Sequence, residues 1–324
     1  MTIRLRALLV AVLSLSLALP ALAQGWPSRP IRILVPFAPG GSSDLAARLI
    51  GQRLQEALGQ PAIVENRPGA GGILATDAVA KAAPNGYTVL LAVAGPYITA
   101  PLLQNTPYDP LRDFAPISTL NGNPQVLVVH PSVPVTNARE LIAMAKAQPG
   151  KLNFSTSGPG ALTEVSAIIF NHMAGVQMTL VPYKGGTSAV TALLAGEAQV
   201  HFTNPSEAIP QTRAGKLRAI AVTGAKRFAP MPTVPTLAES GLPGFVVETW
   251  NGLVAPAGTP PEIVNRLSSI IQELTRDPAV RQRMADTGMS AMGESPEEFR
   301  AFIQAQLTLW SKFFRDYGIK APGR

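Results

Sequence analysis

The chain of 324 residues contains no cysteine, so neither disulfides nor thiolate metal sites are open to it. A chain of this size can nevertheless fold in an oxidising compartment, because it buries enough surface to do without covalent staples. Histidine is scarce as well. His130, His172 and His201 are scattered, and no H-E-x-x-H or comparable spacing links them, so no metal, cofactor or catalytic residue is assigned. Charged residues make up only 15% of the chain, and the carboxylates form no pair spaced for acid/base work. No G-x-S-x-G elbow presents a serine, and neither a Walker spacing nor G-x-G-x-x-G occurs, which argues against hydrolase and nucleotide-binding readings. The formal net charge of +7 is spread thinly, without a basic stripe or interleaved aromatics, so nucleic acid is not an expected partner.

Long apolar runs are also missing, with one exception at the start. Arg4 and Arg6 precede an apolar run from Ala7 to Leu19 and then Pro20-Ala21-Leu22-Ala23, the pattern of a secretory signal cleaved after Ala23. The run is shorter than the ~20 residues a spanning helix needs. The expectation is an exported, periplasmic protein whose mildly positive surface helps to steer an anion. The remaining ~300 residues exceed one growing core, so two domains, or one discontinuous pair, are expected.

Runs rich in Val, Ile and Leu alternate with segments of helical period, which points to an α/β fold. A strand is expected at Ile31 to Pro36, then a helix from Asp44 to Leu58 stopped by Gly59, a helix near Gly71 to Ala83, and a strand from Tyr87 to Val93. That strand, helix, strand order is the grammar of a parallel sheet. After a Pro-rich stretch around Tyr108 to Pro116, a second sheet is expected from Val126 onward, with strands up to Leu217–Thr223. An extended run, Phe245 to Ala255, returns the chain to the first sheet, and the C-terminal part is helical. Asp277-Pro278 and Ser295-Pro296-Glu297-Glu298 read as helix caps.

Three loops share one design, a strand leading through small residues into a helix: Pro36 to Asp44, Ser155 to Gly160, and Pro182 to Thr187. The first N–H groups of a helix lack partners, and glycines let a ligand approach the main chain, so an anion is the natural occupant. Ser42, Ser43, Ser157 and Thr187 add hydroxyl donors, and Lys184 is the one full positive charge in these loops. Any one of the loops is equally well explained as turn and capping chemistry. Three of a kind favour a shared site, because strand C-terminal ends converge on the crevice of an open α/β sheet.

These words, in order, carry a resemblance: Pro36-Phe37-Ala38-Pro39-Gly40-Gly41, Val64-Glu65-Asn66-Arg67-Pro68-Gly69-Ala70-Gly71-Gly72, Pro84-Asn85-Gly86-Tyr87, Val181-Pro182-Tyr183-Lys184-Gly185 and Ala255-Pro256-Ala257-Gly258-Thr259-Pro260. Over nearly the whole chain after the leader, it resembles the Bug family, the TctC-type receptors of tripartite tricarboxylate transporters. The resemblance implies a type II periplasmic-binding-protein fold, two α/β domains around a cleft, joined by crossings near Pro124 to Val128 and Glu248 to Leu253. The implied division is residues 24–123 with 249–324 against 124–248. It further implies a non-enzymatic, monomeric solute-binding protein that holds a small carboxylate and passes it to the membrane subunits of such a transporter. The alternative is a sensory receptor presenting the same ligand to a membrane signalling protein. In relatives the carboxylate is held by loops corresponding to Phe37 to Ser43, with Gly40, Gly41 and Ser42, to Ser157 to Ala161, with Gly160, and to Lys184 to Gly186, with Gly185. Tyr97 is a further candidate for the cleft wall, as are Thr203 and Asn204. Ala161 and Glu164 stand where relatives carry a hydroxyl and a histidine, and Thr203 stands where amino-acid-binding relatives often carry an aspartate, which favours a plain carboxylate.

Overall fold

The computed structural model describes residues 25–316 and 318. The expected signal sequence and its cleavage point at Ala23 lie outside the described residues. Strand β1 (Ile31–Val35) leads into helix α1 (Ser42–Leu58), β2 (Ala62–Asn66), α2 (Ile73–Ala80) and β3 (Thr88–Val93). Strand β1 pairs in parallel with both β2 and β3, as the strand, helix, strand order requires. Gly59 ends α1 in a left-handed conformation (φ 69°), where its N–H bonds Gln55 O. A π-helical turn, Gly95–Thr99, then joins β3 to the short α3 (Ala100–Leu103).

Strand β4 (Phe114–Pro124) is the element the sequence hides. It covers part of the stretch read as Pro-rich, and its buried Ser118, Thr119, Asn121 and Asn123 obscure any apolar pattern. These polar groups tolerate burial because each has a partner: Thr119 Oγ1 bonds the Glu294 carboxylate, and Asn121 Nδ2 donates to Asn123 Oδ1 at 3.1 Å.

From β4 the chain passes directly into β5 (Val126–Val129) of a second sheet. There follow α4 (Ala138–Ala147), β6 (Asn153–Thr156), α5 (Leu162–Ala174), β7 (Thr179–Pro182), α6 (Gly186–Leu194), β8 (Val200–Thr203), α7 (Pro205–Arg213) and β9 (Arg218–Val222). This sheet has the order β7-β6-β8-β5-β9. The chain returns as β10 (Glu248–Pro256), which pairs antiparallel with β3 and β4, followed by α8 (Pro261–Arg276), α9 (Pro278–Asp286), β11 (Ser290–Ala291) and α10 (Pro296–Asp316). The first sheet is thereby completed in the order β11-β4-β10-β3-β1-β2. The expected fold class is found: two α/β lobes, each on its own sheet, with the chain crossing between them twice.

Each lobe has its own packing. In the first, Ile33, Ile50, Leu54, Leu267 and Ile271 are fully buried between β1, α1 and α8. In the second, contacting rings among Phe154, Phe170, Phe202 and Phe245 lie 5.3–6.5 Å apart, centroid to centroid, in tilted, edge-on and stacked contacts. The crossings are joined by Thr223, whose Oγ1 accepts from Gln125 N at 2.8 Å and donates to Val247 O. Both expected caps are present. Asp277 accepts from Ala279 N and Val280 N, and Ser295 exchanges hydrogen bonds with Glu298. Among the described residues, no helix is long and apolar enough to cross a membrane.

Candidate functional site

Four helices begin at one cavity between the lobes: α1 from the first lobe, and α5, α6 and α7 from the second. Their N-cap residues are Gly41, Ala161, Gly185 and Asn204, and none of these uses a side chain to cap its helix. The helices capped by Asn137, Asp277 and Ser295 start elsewhere and use one, while α2, α3 and α8 start elsewhere without one. The absence of side-chain caps at the cavity leaves helix-start N–H groups for something other than the chain itself.

The two lobes touch through glycines. A Cβ placed on Gly71 would lie 1.9 Å from Pro159 O, and one on Gly95 would lie 2.9 Å from Leu162 N. On Gly41 it would meet Thr187 Oγ1 at 3.3 Å and Glu207 Oε1 at 3.4 Å. At Gly71 and Gly95 the lobes therefore meet against backbone, in an arrangement that side chains there would prevent, whereas at Gly41 the neighbours are side-chain atoms.

The cavity between them is small, about 50 Å³. The first lobe contributes Phe37, Gly41, Ser42 and Ser43, together with Val93, Gly95, Thr249 and Asn251; the second contributes Ser157, Ala161, Thr163, Gly186, Thr187, Asn204 and Glu207. Gln125, at the first crossing, closes the back, where its Oε1 accepts from Ser166 Oγ at 2.5 Å. Ser43 Oγ donates to Asn251 Oδ1 at 3.3 Å, and Asn251 Nδ2 donates to Asn121 Oδ1 at 3.2 Å, so the start of α1 is tied to the returning strand.

Several candidates stand elsewhere. Tyr97 does not line the cleft: it is fully buried, donates to Pro110 O at 2.8 Å and packs against Phe114 and Trp250. A bulky ring two residues into the π-helical turn is drawn into the first lobe's core. Lys184 is exposed and faces an adjoining hollow with Gly71 and Gly158, outside the main cavity. Gly40 turns the chain before α1 (φ 87°) and donates its N–H to Asp44 Oδ2 at 3.1 Å. Gly160 packs on Ala100 and Gln104, its N–H donating to Glu164 Oε2 at 2.7 Å and its carbonyl accepting from Thr99 Oγ1 at 2.9 Å. Gly185 donates to Ser157 O at 3.2 Å, which joins two of the three loops. Thr203 is buried behind the cavity wall and donates to Glu207 Oε2 at 2.7 Å.

Sequence reasoning missed Gln125, Thr163, Thr249 and Asn251 among the lining residues, and above all Glu207. It is the only ionisable side chain among the described residues lining the cavity. Burial pushes its carboxyl above the usual glutamate range, against the opposing hydrogen bonds of Thr203 and Asn204. The signal available beforehand was Asn204-Pro205-Ser206-Glu207, a helix-start pattern with the acid in its first turn. Glu164, in the place of the relatives' histidine, is likewise raised by burial, with the Gly160 N–H acting the other way. His201 is buried with Nδ1 2.6 Å from Ser155 O, and burial lowers it to about 4. It lines the β8–β6 contact rather than the cavity. No group of three or more His, Asp or Glu among the described residues could hold a metal ion.

A family model described as the tripartite tricarboxylate transporter family receptor matches residues 46–319. Protein BugT of Bordetella pertussis is 36% identical over 313 residues, which span 96% of each chain. Of solved structures, R. palustris Rpa4515 with adipate superposes with a TM-score of 0.89 at 34% identity, over 92% of this chain and 100% of its own. MatC (Rpa3494) from Rhodopseudomonas palustris with bound malate gives a TM-score of 0.85 at 33% identity, over 89% and 99%.

Proposed function

The chain belongs to the tripartite tricarboxylate transporter receptor family, and from that membership we propose that it is an exported receptor for a small carboxylate, delivered to a transporter of this type. The family and the type II periplasmic-binding-protein fold are those of solute-binding proteins rather than enzymes. The observation that carries the carboxylate reading is the set of four helix starts without side-chain caps at one cavity, supplied by both lobes. Backbone N–H groups and helix dipoles there favour negative charge, and the hydroxyls of Ser42, Ser157 and Thr187 add donors. The adipate- and malate-bound neighbours support the same ligand chemistry.

In this reading residues 24–123 with 249–324 and residues 124–248 form the two bodies of a clamp. Ligand favours the closed form because only there do donors from both bodies reach it. The protein acts as a monomer, and the membrane subunits take the ligand from the closed form.

Calorimetry on protein stripped of co-purified ligand tests the reading, using monocarboxylates, di- and tricarboxylates, aromatic acids, amino acids, sugars and polyamines. A carboxylate is expected to bind most tightly. If a neutral sugar or a polyamine binds best, the reading is wrong. Uptake by membrane vesicles carrying the cognate transporter subunits, with and without the receptor, tests delivery.

A further inference from the structure

Among the described residues, the lining of this cavity has no cationic side chain, and its one ionisable side chain is an acid. Glu207 Oε2 already accepts from the Thr203 hydroxyl at 2.7 Å. Oε1 lies at the meeting of the two lobes: Cβ atoms placed on Gly41 and Gly186 would be 3.4 and 3.2 Å from it. Those glycines sit at the starts of α1 and α6, where the positive ends of two helices converge. A ligand carboxylate drawn to those helix starts therefore arrives beside Oε1.

Two ionised carboxylates at that distance repel one another, and in a small, closed cavity the repulsion is poorly screened. An ammonium on the ligand would relieve it, but would have to sit against two positive helix ends. A proton relieves it without that conflict. We infer that Glu207 captures the ligand as a neutral carboxylic acid, donating a hydrogen bond from Oε1 to a ligand carboxylate and taking one proton from solution for each anion bound. The pattern resembles two carboxyls sharing one proton elsewhere in protein chemistry. Glu207 is thus a specificity-determining residue: it accepts acids at the position where a fixed cation would otherwise be needed, and it rejects ligands that present a cation there.

Other titratable groups on the elements packed around it do not line the cavity. Asp44 of α1 is paired with Arg48, Lys184 before α6 faces the adjoining hollow, His201 of β8 is turned to Ser155 O, Glu164 of α5 holds Gly160 N, and Arg213 lies in the last turn of α7. Burial in the empty site already raises Glu207 above the ordinary glutamate range, which eases the protonation that binding requires.

This inference rests on the carboxylate reading of the same cavity, and the experiment separates the two. Calorimetry of the wild-type protein with adipate, malate and aspartate is run in two buffers of different ionisation enthalpy, from roughly pH 5 to pH 8. Expected, above the Glu207 pKa of the empty site, is uptake of close to one proton per adipate or malate with affinity falling about tenfold per pH unit, and below it neither effect. Glu207→Gln should bind the same acids without proton uptake and without that pH dependence. Its folding is checked by thermal unfolding, while the two-buffer measurement on wild type needs no variant. Tight binding of adipate or malate with no proton uptake and no loss of affinity at any pH in that range overturns the inference and leaves the carboxylate reading standing. Aspartate binding best, with affinity lost in Glu207→Gln, also overturns it, because Glu207 would then be an ionised partner for an ammonium. If none of the carboxylates binds at any pH, the carboxylate reading falls and the inference falls with it.

Discussion

Glu140 and Glu207 occupy the same place in one local pattern and titrate in opposite directions. In Thr136-Asn137-x-x-Glu140 and Thr203-Asn204-x-x-Glu207 the threonine hydroxyl donates to the glutamate Oε2, at 2.9 and 2.7 Å. Glu140 lies at the surface, where the Thr136 N–H and hydroxyl hold it below the usual range; burial raises Glu207 above it. A depressed carboxylate stabilises the fold above its unfolded pKa, and that contribution is lost as pH falls through the folded value. A raised carboxylate does the reverse: the fold loses stability as pH rises from the unfolded pKa through the folded one. Glu140→Gln should therefore lower the thermal midpoint at neutral pH, and Glu207→Gln should raise it, with both differences shrinking in acid. Thermal unfolding across pH checks both signs.

Gly95 offers a way to hold the clamp open. It has no positive φ, so alanine is not strained there, yet its Cβ would meet Leu162 N at 2.9 Å and Ala161 Cα at 3.1 Å in the closed form. Gly95→Ala should weaken ligand binding by on the order of tenfold or more, equivalent to about 1.4 kcal/mol. Small-angle scattering should show the wild type contracting with ligand and the variant failing to contract.

Tyr97 belongs to the core, and its replacement should show that. Tyr97→Phe removes the donor to Pro110 O and should cost roughly 0.5–1.5 kcal/mol in denaturant unfolding. Ligand affinity should be unchanged. A weakened affinity with unaltered stability would put the ring back at the cleft.

His201 should shape the acid limb of stability. Its folded pKa of about 4 lies below the ordinary 6.5, so the unfolded chain binds the extra proton between those values. Stability is then fully present above pH 6.5 and falls toward pH 4, by roughly 3 kcal/mol in all. Replacement by Gln, which can still donate to Ser155 O, should flatten that limb. Urea titrations at a series of pH values measure it.

Much of the architecture could be read from periodicity and punctuation. Gly59, Asp277 and Ser295 end or cap helices as expected, because those signals act within one turn and owe little to the rest of the fold. Strand β4 could not be read in that way, since its buried Ser and Asn residues take their partners from β10 and from Glu294, far along the chain. The three loops with small residues do meet at the cavity, but their composition does not say which way a side chain faces. Lys184 turns outward, Tyr97 turns into the first lobe's core, and Glu207 turns inward from the first turn of α7. Each of those directions depends on tertiary packing, which no short window contains.

The hydroxyl of Thr223 holds the strap at Gln125 to the strap at Val247. Two independent straps between rigid bodies permit sliding and twisting as well as bending. Fastened side by side, they bend together about one line, as the leaf of a door turns on its pin. In the proposed clamp, the start of α1 and those of α5, α6 and α7 would then separate and return along a single arc, so that each closing stroke brings the same N–H groups to the same place.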